Sequence, residues 1–403
     1  MSADSASSGL AQDPSRRRLL GGVASALAAS ALPGTAFAAT SASRYSTSAV
    51  VTGTEAWVSA EGDGEDGYFA SWIVDGERRA ELHSASSGFR GHGLAQHPQR
   101  LDQAVMFARR PGTQALVLNL LDGSVEQVIE CTTGHHMHGH GCFSPDGQHL
   151  LTTESDYRTG TGKLMVRNTV NWQLEAEYLT HGIGPHDVHV MPDGQSLVVA
   201  NGGLLTHPDS GRKVLNLDTM DPSLVYLSLA NGTLISQHRL PESKASIRHL
   251  ALADDGTVAI ATQLQRPAMH SHALVPLAAI HKPGQPLVTL QGPETLILKF
   301  NDYMGSAALH NGERIAAFSS PRGDLVAFWH LDTHQLVGYH AFFDVCGLTV
   351  SRDQQYFVLS NSRGDVRMID VRSLKEDRAM RRSFAGRHWD NHMFTFTLPD
   401  QSV

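Results

Sequence analysis

Apolar residues along this chain fall in short runs that alternate with polar ones, and a turn closes almost every run. Gln103–Ala108, Val125–Glu130 and Leu174–Leu179 are examples. Runs of this length bounded by turn residues predict strands, because a helix needs a longer periodic stretch. One unit recurs. His140-Gly141-Cys142-Phe143 leads into Pro145-Asp146-Gly147, His186 leads through Val190 into Pro192-Asp193-Gly194, and His249 leads through Leu252 into Asp254-Asp255-Gly256. In each turn Pro presets φ, Asp bonds its own backbone, or Gly takes the left-handed position. Weaker copies run from Ser306 to Asn311-Gly312 and from Gly347 to Asp353.

The turn residues Asp146, Asp193, Asp255, Asn311 and Asp353 are spaced by 47, 62, 56 and 42 residues. A period in the forties with four short strands per unit is that of a β-propeller blade. Blade three reads as Cys142–Phe143, His149–Thr153, Lys163–Arg167 and Leu174–Leu179. Blade two reads as Gly93–Gln96, Gln103–Ala108, Ala115–Asn119 and Val125–Glu130. The first unit, Trp57–Ala60, Tyr68–Val74 and Arg79–His83, lacks an inner strand, and Met393–Leu398 at the C-terminus supplies one. The expectation is an all-β, seven-bladed β-propeller whose C-terminal strand joins blade one, with six or eight blades as the alternative count. The long step in blade four holds an insertion, 202–222, between its second and third strands.

At 41% apolar and 18% charged, with 37 Gly, the composition suits a turn-rich all-β protein. A formal charge of −8 argues against nucleic acid or anionic lipid as the main partner. At the N-terminus Arg16-Arg17-Arg18-Leu19-Leu20, the apolar run 21–32 and Ala36-Phe37-Ala38 have the order of a signal peptide of the twin-arginine type. Residues 1–38 are therefore expected to be a signal peptide and 39–403 a single propeller domain in the periplasm. No run is long enough to predict a membrane span. Cys131, Cys142 and Cys346 form no disulfide framework, and without Cys-x-x-Cys-His there is no haem attachment motif.

In a four-stranded meander, inner-strand starts and the ends of second strands share one face of the disc. On that face the repeat places His92, His140, His186, His249 and His392. Imidazoles converging on a channel mouth suit iron, copper or zinc, so these five are the predicted metal ligands. Glu154 and Asp156 are predicted to support them as ligands or orienting carboxylates. The expected loop and lid contacts are His135, His136 and His138 before blade three, Asn201, and His207 on the insertion. Each histidine taken singly also fits a structural role, bonding a neighbouring blade's backbone. No Gly-x-Ser-x-Gly, Walker loop or His-Glu-x-x-His occurs, which favours binding over catalysis.

Eight motifs in order carry a resemblance. They are Gly139–Gly147, Glu154–Tyr157, Gly182–His186, Ala200–Gly203, Thr206–Pro208, Leu215–Met220, Ser246–Leu250 and Asp344–Gly347. Together they resemble an uncharacterised family of twin-arginine-exported bacterial seven-bladed propellers, often encoded beside imelysin-like and dihaem-peroxidase-like iron-acquisition proteins. Gly203–Thr206 departs from the family pattern. The resemblance implies a periplasmic protein in iron handling, with imelysin-like or peroxidase-like periplasmic partners, and the ion expected at the histidines is iron or copper. Two other functions stay open: a metal-dependent hydrolase or oxidoreductase at the same site, and a non-catalytic interaction platform with structural histidines.

Overall fold

The computed structural model describes residues 53–62, 64–75 and 80–400. The segment 1–38, read above as a signal peptide, lies outside them. Seven antiparallel sheets of four strands each make up a β-propeller. Its inner strands, in blades one to seven, are Phe394–Leu398, Gly91–Gln96, His135–Phe143, Pro185–Val190, Ala245–Leu252, Ser306–His310 and Val345–Val350.

The C-terminal strand closes the ring. Phe394–Leu398 pairs antiparallel with Thr54–Glu61, with Phe394 opposite Val58 and Leu398 opposite Thr54. Closure gives blade one its fourth strand and leaves it without an unpaired inner edge. The cores on either side of blade one explain why the closed ring holds. Ala56, Val58 and Trp72 pack with Leu94, Met106 and Leu118 of blade two and with Phe396 and Leu398 of the closing strand. On the other side Trp57 and Ile73 pack with Val358, Val366 and Met368 of blade seven and with Trp389. Alternate residues of one strand thus face two different neighbours, as the period of two requires.

The turns form as their residues dictate. Asp146 Oδ1 accepts hydrogen bonds from Ser144 Oγ at 2.6 Å and Gln148 N at 3.0 Å, and Gly147 takes φ +69°. Asp193 and Asp255 do the same for Gln195 and Thr257. These aspartates are structural. The blade-four insertion lies between Ser196–Asn201 and Ser223–Ser228, where the sequence placed it.

One assignment changes. His135–His138, expected in a loop, form the first half of the inner strand His135–Phe143. His135, His136 and Met137 pair with Asp156, Ser155 and Glu154, and all three side chains are buried. Hydropathy reads a run of imidazoles as solvated loop because it counts polarity, whereas here each ring has a partner inside the protein.

Candidate metal centre

Five histidines from five blades meet on the propeller axis, and backbone irregularity aims them there. Strand pairing shifts register beside the histidine in four inner strands: between Gly91 and Leu94, Met137 and Gly141, Pro185 and Asp187, and Ile247 and His249. A β-bulge of this kind bends the strand and re-aims a side chain, here toward the channel. The carbonyls of two of the histidines are caught by hydroxyls. Thr153 Oγ1 donates to His140 O at 2.9 Å, and Ser59 Oγ donates to His392 O at 2.6 Å. Two glycines clear room for the rings. A Cβ at Gly139, which takes φ +102°, would lie 2.6 Å from His92 Cδ2, and one at Gly93 would lie 2.7 Å from His140 Nδ1.

The rings crowd together. His92 lies 4.6 Å from His392 and 4.9 Å from His140 between ring centroids, and His249 lies 4.3 Å from His392. One nitrogen from each of His92, His140, His249 and His392 falls in a group whose members are all within 4.8 Å of one another. Tetrahedral nitrogen ligands on zinc stand about 3.3 Å apart, so modest rotations of the side chains would bring the four onto one ion. His186 stands beside this group, its Nε2 2.8 Å from Nε2 of His249. With His249 donating in that bond, its Nδ1 carries a lone pair for a metal.

The opposite nitrogens are held. Asp187 Oδ1 lies 3.4 Å from His140 Nδ1, and Ser306 Oγ lies 3.1 Å from His392 Nδ1. That leaves Nε2 of both rings without a partner, along with Nδ1 of His92, His186 and His249. Buried polar atoms ordinarily find a partner, and these five imidazoles each keep one nitrogen that could bind a ligand. Burial also sets their charge. It holds His92, His186, His249 and His392 well below the ordinary histidine pKa. It lowers His140 to about 4 against the opposing pull of Asp187. All five are neutral at pH 7, the form that binds metal.

The cluster lies inside the channel rather than at its mouth. Each of the five residues is at most 6% exposed. It forms a plug with a cavity on each side. His92, His186 and His249 line one of about 140 Å³, on the face of the blade-four insertion. His140, His249 and His392 line a second of about 480 Å³, among the far ends of the inner strands.

The other predicted residues sit elsewhere. Glu154 is buried in blade three. Its Oε1 accepts from Arg167 Nη2 at 2.8 Å and Thr152 Oγ1 at 2.7 Å, and its Oε2 faces His135 Nδ1 at 3.6 Å. Asp156 accepts from Arg158 at the strand end. Neither carboxylate belongs to the four-histidine group. Asn201 donates to Thr180 O at 2.8 Å, in the link between blades three and four. His136 does meet the insertion, its Nε2 3.2 Å from Thr206 O, and His207 sets its ring edge-on to Tyr157 at 4.6 Å. His138 lines the smaller cavity and bonds Ser155 Oγ at 2.7 Å. Cys346 is a buried thiol directed at Asp344 O.

Sequence reasoning missed Asp187, the carboxylate that orients a ring of the cluster. It also assigned no role to Arg110, Arg212, Arg248 and Arg322, which line the smaller cavity. Asp187 and Arg248 are each the sequence neighbour of a channel histidine, and strict alternation would turn them away from it. Only the register shifts bring both kinds of neighbour to the axis.

Residues 86–396 match the family model described as "Protein of unknown function (DUF1513)". No curated protein matches the sequence. Among solved structures, Kuenenia stuttgartiensis hydrazine synthase is similar with a TM-score of 0.59 and 14% identity, over 76% of this chain and 93% of that one. At that identity the likeness is one of fold.

Proposed function

The chain belongs to the DUF1513 family, which brings no activity with it, and we propose from the site itself that it is a metal-binding propeller. Its cargo or resident ion is a late first-row metal, copper, iron or zinc, held by His92, His140, His249 and His392 with His186 alongside. The observation that carries this reading is the group of four imidazole nitrogens within 4.8 Å, buried and neutral. An all-imidazole set suits those metals and is a poor match for magnesium or calcium, which want oxygen. Asp187 supplies the carboxylate behind a ligating histidine that such sites use to fix ring and tautomer. The arginine-led N-terminal segment supports a periplasmic setting, where the protein would serve iron or copper handling beside partners such as imelysin-like or peroxidase-like proteins.

Metal analysis of untagged protein, followed by titration of chelator-treated protein with Cu²⁺, Zn²⁺ and Fe²⁺, tests the proposal. One ion per chain is expected, lost in His140→Ala/His392→Ala. A second reading draws on the His186–His249 bond: the rings form a hydrogen-bonded plug in an interaction platform. It holds if the double variant lowers Tm and the parent protein takes up none of the three metals.

A further inference from the structure

The cavity on the insertion face is ringed by arginines. Arg110 and Arg248 are 7% and 6% exposed, and both line it. Neither forms an ion pair with a carboxylate among the described residues. Arg110 Nη1 and Arg248 Nε have no hydrogen-bond partner at all. Arg248 is the residue that the register shift between Ile247 and His249 leaves unpaired in its strand. Arg109, Arg212 and Arg322 complete the ring. Asp390, the carboxylate nearby, is already shared between Arg90 Nε at 2.7 Å and Arg109 Nη1 at 3.5 Å. Arg322 lies over the Tyr303 ring at 5.0 Å.

Burying a guanidinium without a counter-charge is strongly unfavourable. Burial and the neighbouring guanidinium groups hold Arg110 well below its usual range. A fold that keeps two such groups facing one cavity has a counter-charge to meet there. Guanidinium forks match the paired oxygens of carboxylate and phosphate. A single chloride would leave most of the charge unanswered. At about 140 Å³ the cavity admits a small molecule and excludes a peptide helix or a nucleic-acid strand.

We propose that this cavity binds a small multivalent oxyanion, a phosphate or a polycarboxylate, gripped by Arg110 and Arg248 and flanked by Arg109, Arg212 and Arg322. The bound anion faces His92, His186 and His249 from the insertion side. His92 and His249 border both this cavity and the proposed metal, whereas His140 and His392 line only the opposite cavity, so a variant at those two separates anion binding from metal binding.

Calorimetric titration of chelator-treated protein with inorganic phosphate and with citrate, in chloride buffer of matched ionic strength, tests it. One anion per chain is expected, and the tighter of the two probes assigns the class. Arg110→Met/Arg248→Met is expected to weaken binding at least tenfold while raising the Tm of the free protein, since it removes buried unpaired charge. Should that variant not fold, Arg212→Ala, on the exposed insertion, is expected to weaken binding several-fold. His140→Ala/His392→Ala is expected to keep anion binding, so failure of the metal reading leaves this result untouched. Heats and Tm shifts equal for phosphate, citrate and chloride, or insensitive to the arginine variants, overturn the proposal.

Discussion

Residue chemistry separates the groups that serve the centre from those that hold the scaffold. Asp187 touches His140 and also accepts the Leu250 amide at 2.9 Å. Asp187→Asn keeps the shape and loses the charge. It is expected to weaken metal binding ten- to a hundredfold, the usual scale for a carboxylate behind a ligating histidine. Competition with a chelator reads it, and unchanged affinity would remove Asp187 from the site. Glu154 gives the contrasting case. Its pair with Arg167 is buried on both sides, and breaking such a pair costs about 3–5 kcal/mol. Glu154→Gln is therefore expected to shift urea unfolding while leaving metal stoichiometry intact.

At the scale of the element, the closing strand decides whether the ring is one unit. Phe396 is 6% exposed and packs against blades one and two. Phe396→Ala is expected to cost about 3–5 kcal/mol, read as a fall in the urea midpoint at unchanged slope. The inner strands make a second point at this scale. Their bulges, rather than their hydropathy, set which residues see the channel. His138, Arg248 and His186 all occupy register-shifted positions, and a strand without the shift would turn them into blade interfaces.

The whole molecule responds to pH through its five axial rings. Folded, each stays neutral because burial holds its pKa under the ordinary 6.5. The unfolded chain takes up those protons near 6.5. Below that pH the unfolded state binds more protons, so stability present above it drains away as pH falls toward the folded values. The slope is at most about 1.4 kcal/mol per pH unit for each ring. His189 opposes this: Asp187 raises its pKa despite burial, so its share is present in acid and fades as pH rises through that raised value. Five rings outweigh one. Urea unfolding at pH 7.5 and 5.5 is expected to show marked loss in acid, and His140→Gln/His392→Gln to flatten it. Equal midpoints at the two pH values would mean the rings are not buried together.

Blade number, ring closure and the blade-four insertion were legible because each rests on local rules. Turn chemistry is written in three or four adjacent residues, and a strand's period of two needs only its own neighbours. His92, His140, His186, His249 and His392 could likewise be placed on the axis, since the repeat puts equivalent positions of successive blades side by side. What the linear chain did not carry was the direction and company of side chains at irregular backbone. The burial of the five rings inside the channel and the arrival of Asp187 and Arg248 beside them depend on register shifts and on contacts between residues tens of positions apart. Those are settled by how the blades pack against one another, and only the folded ring decides them.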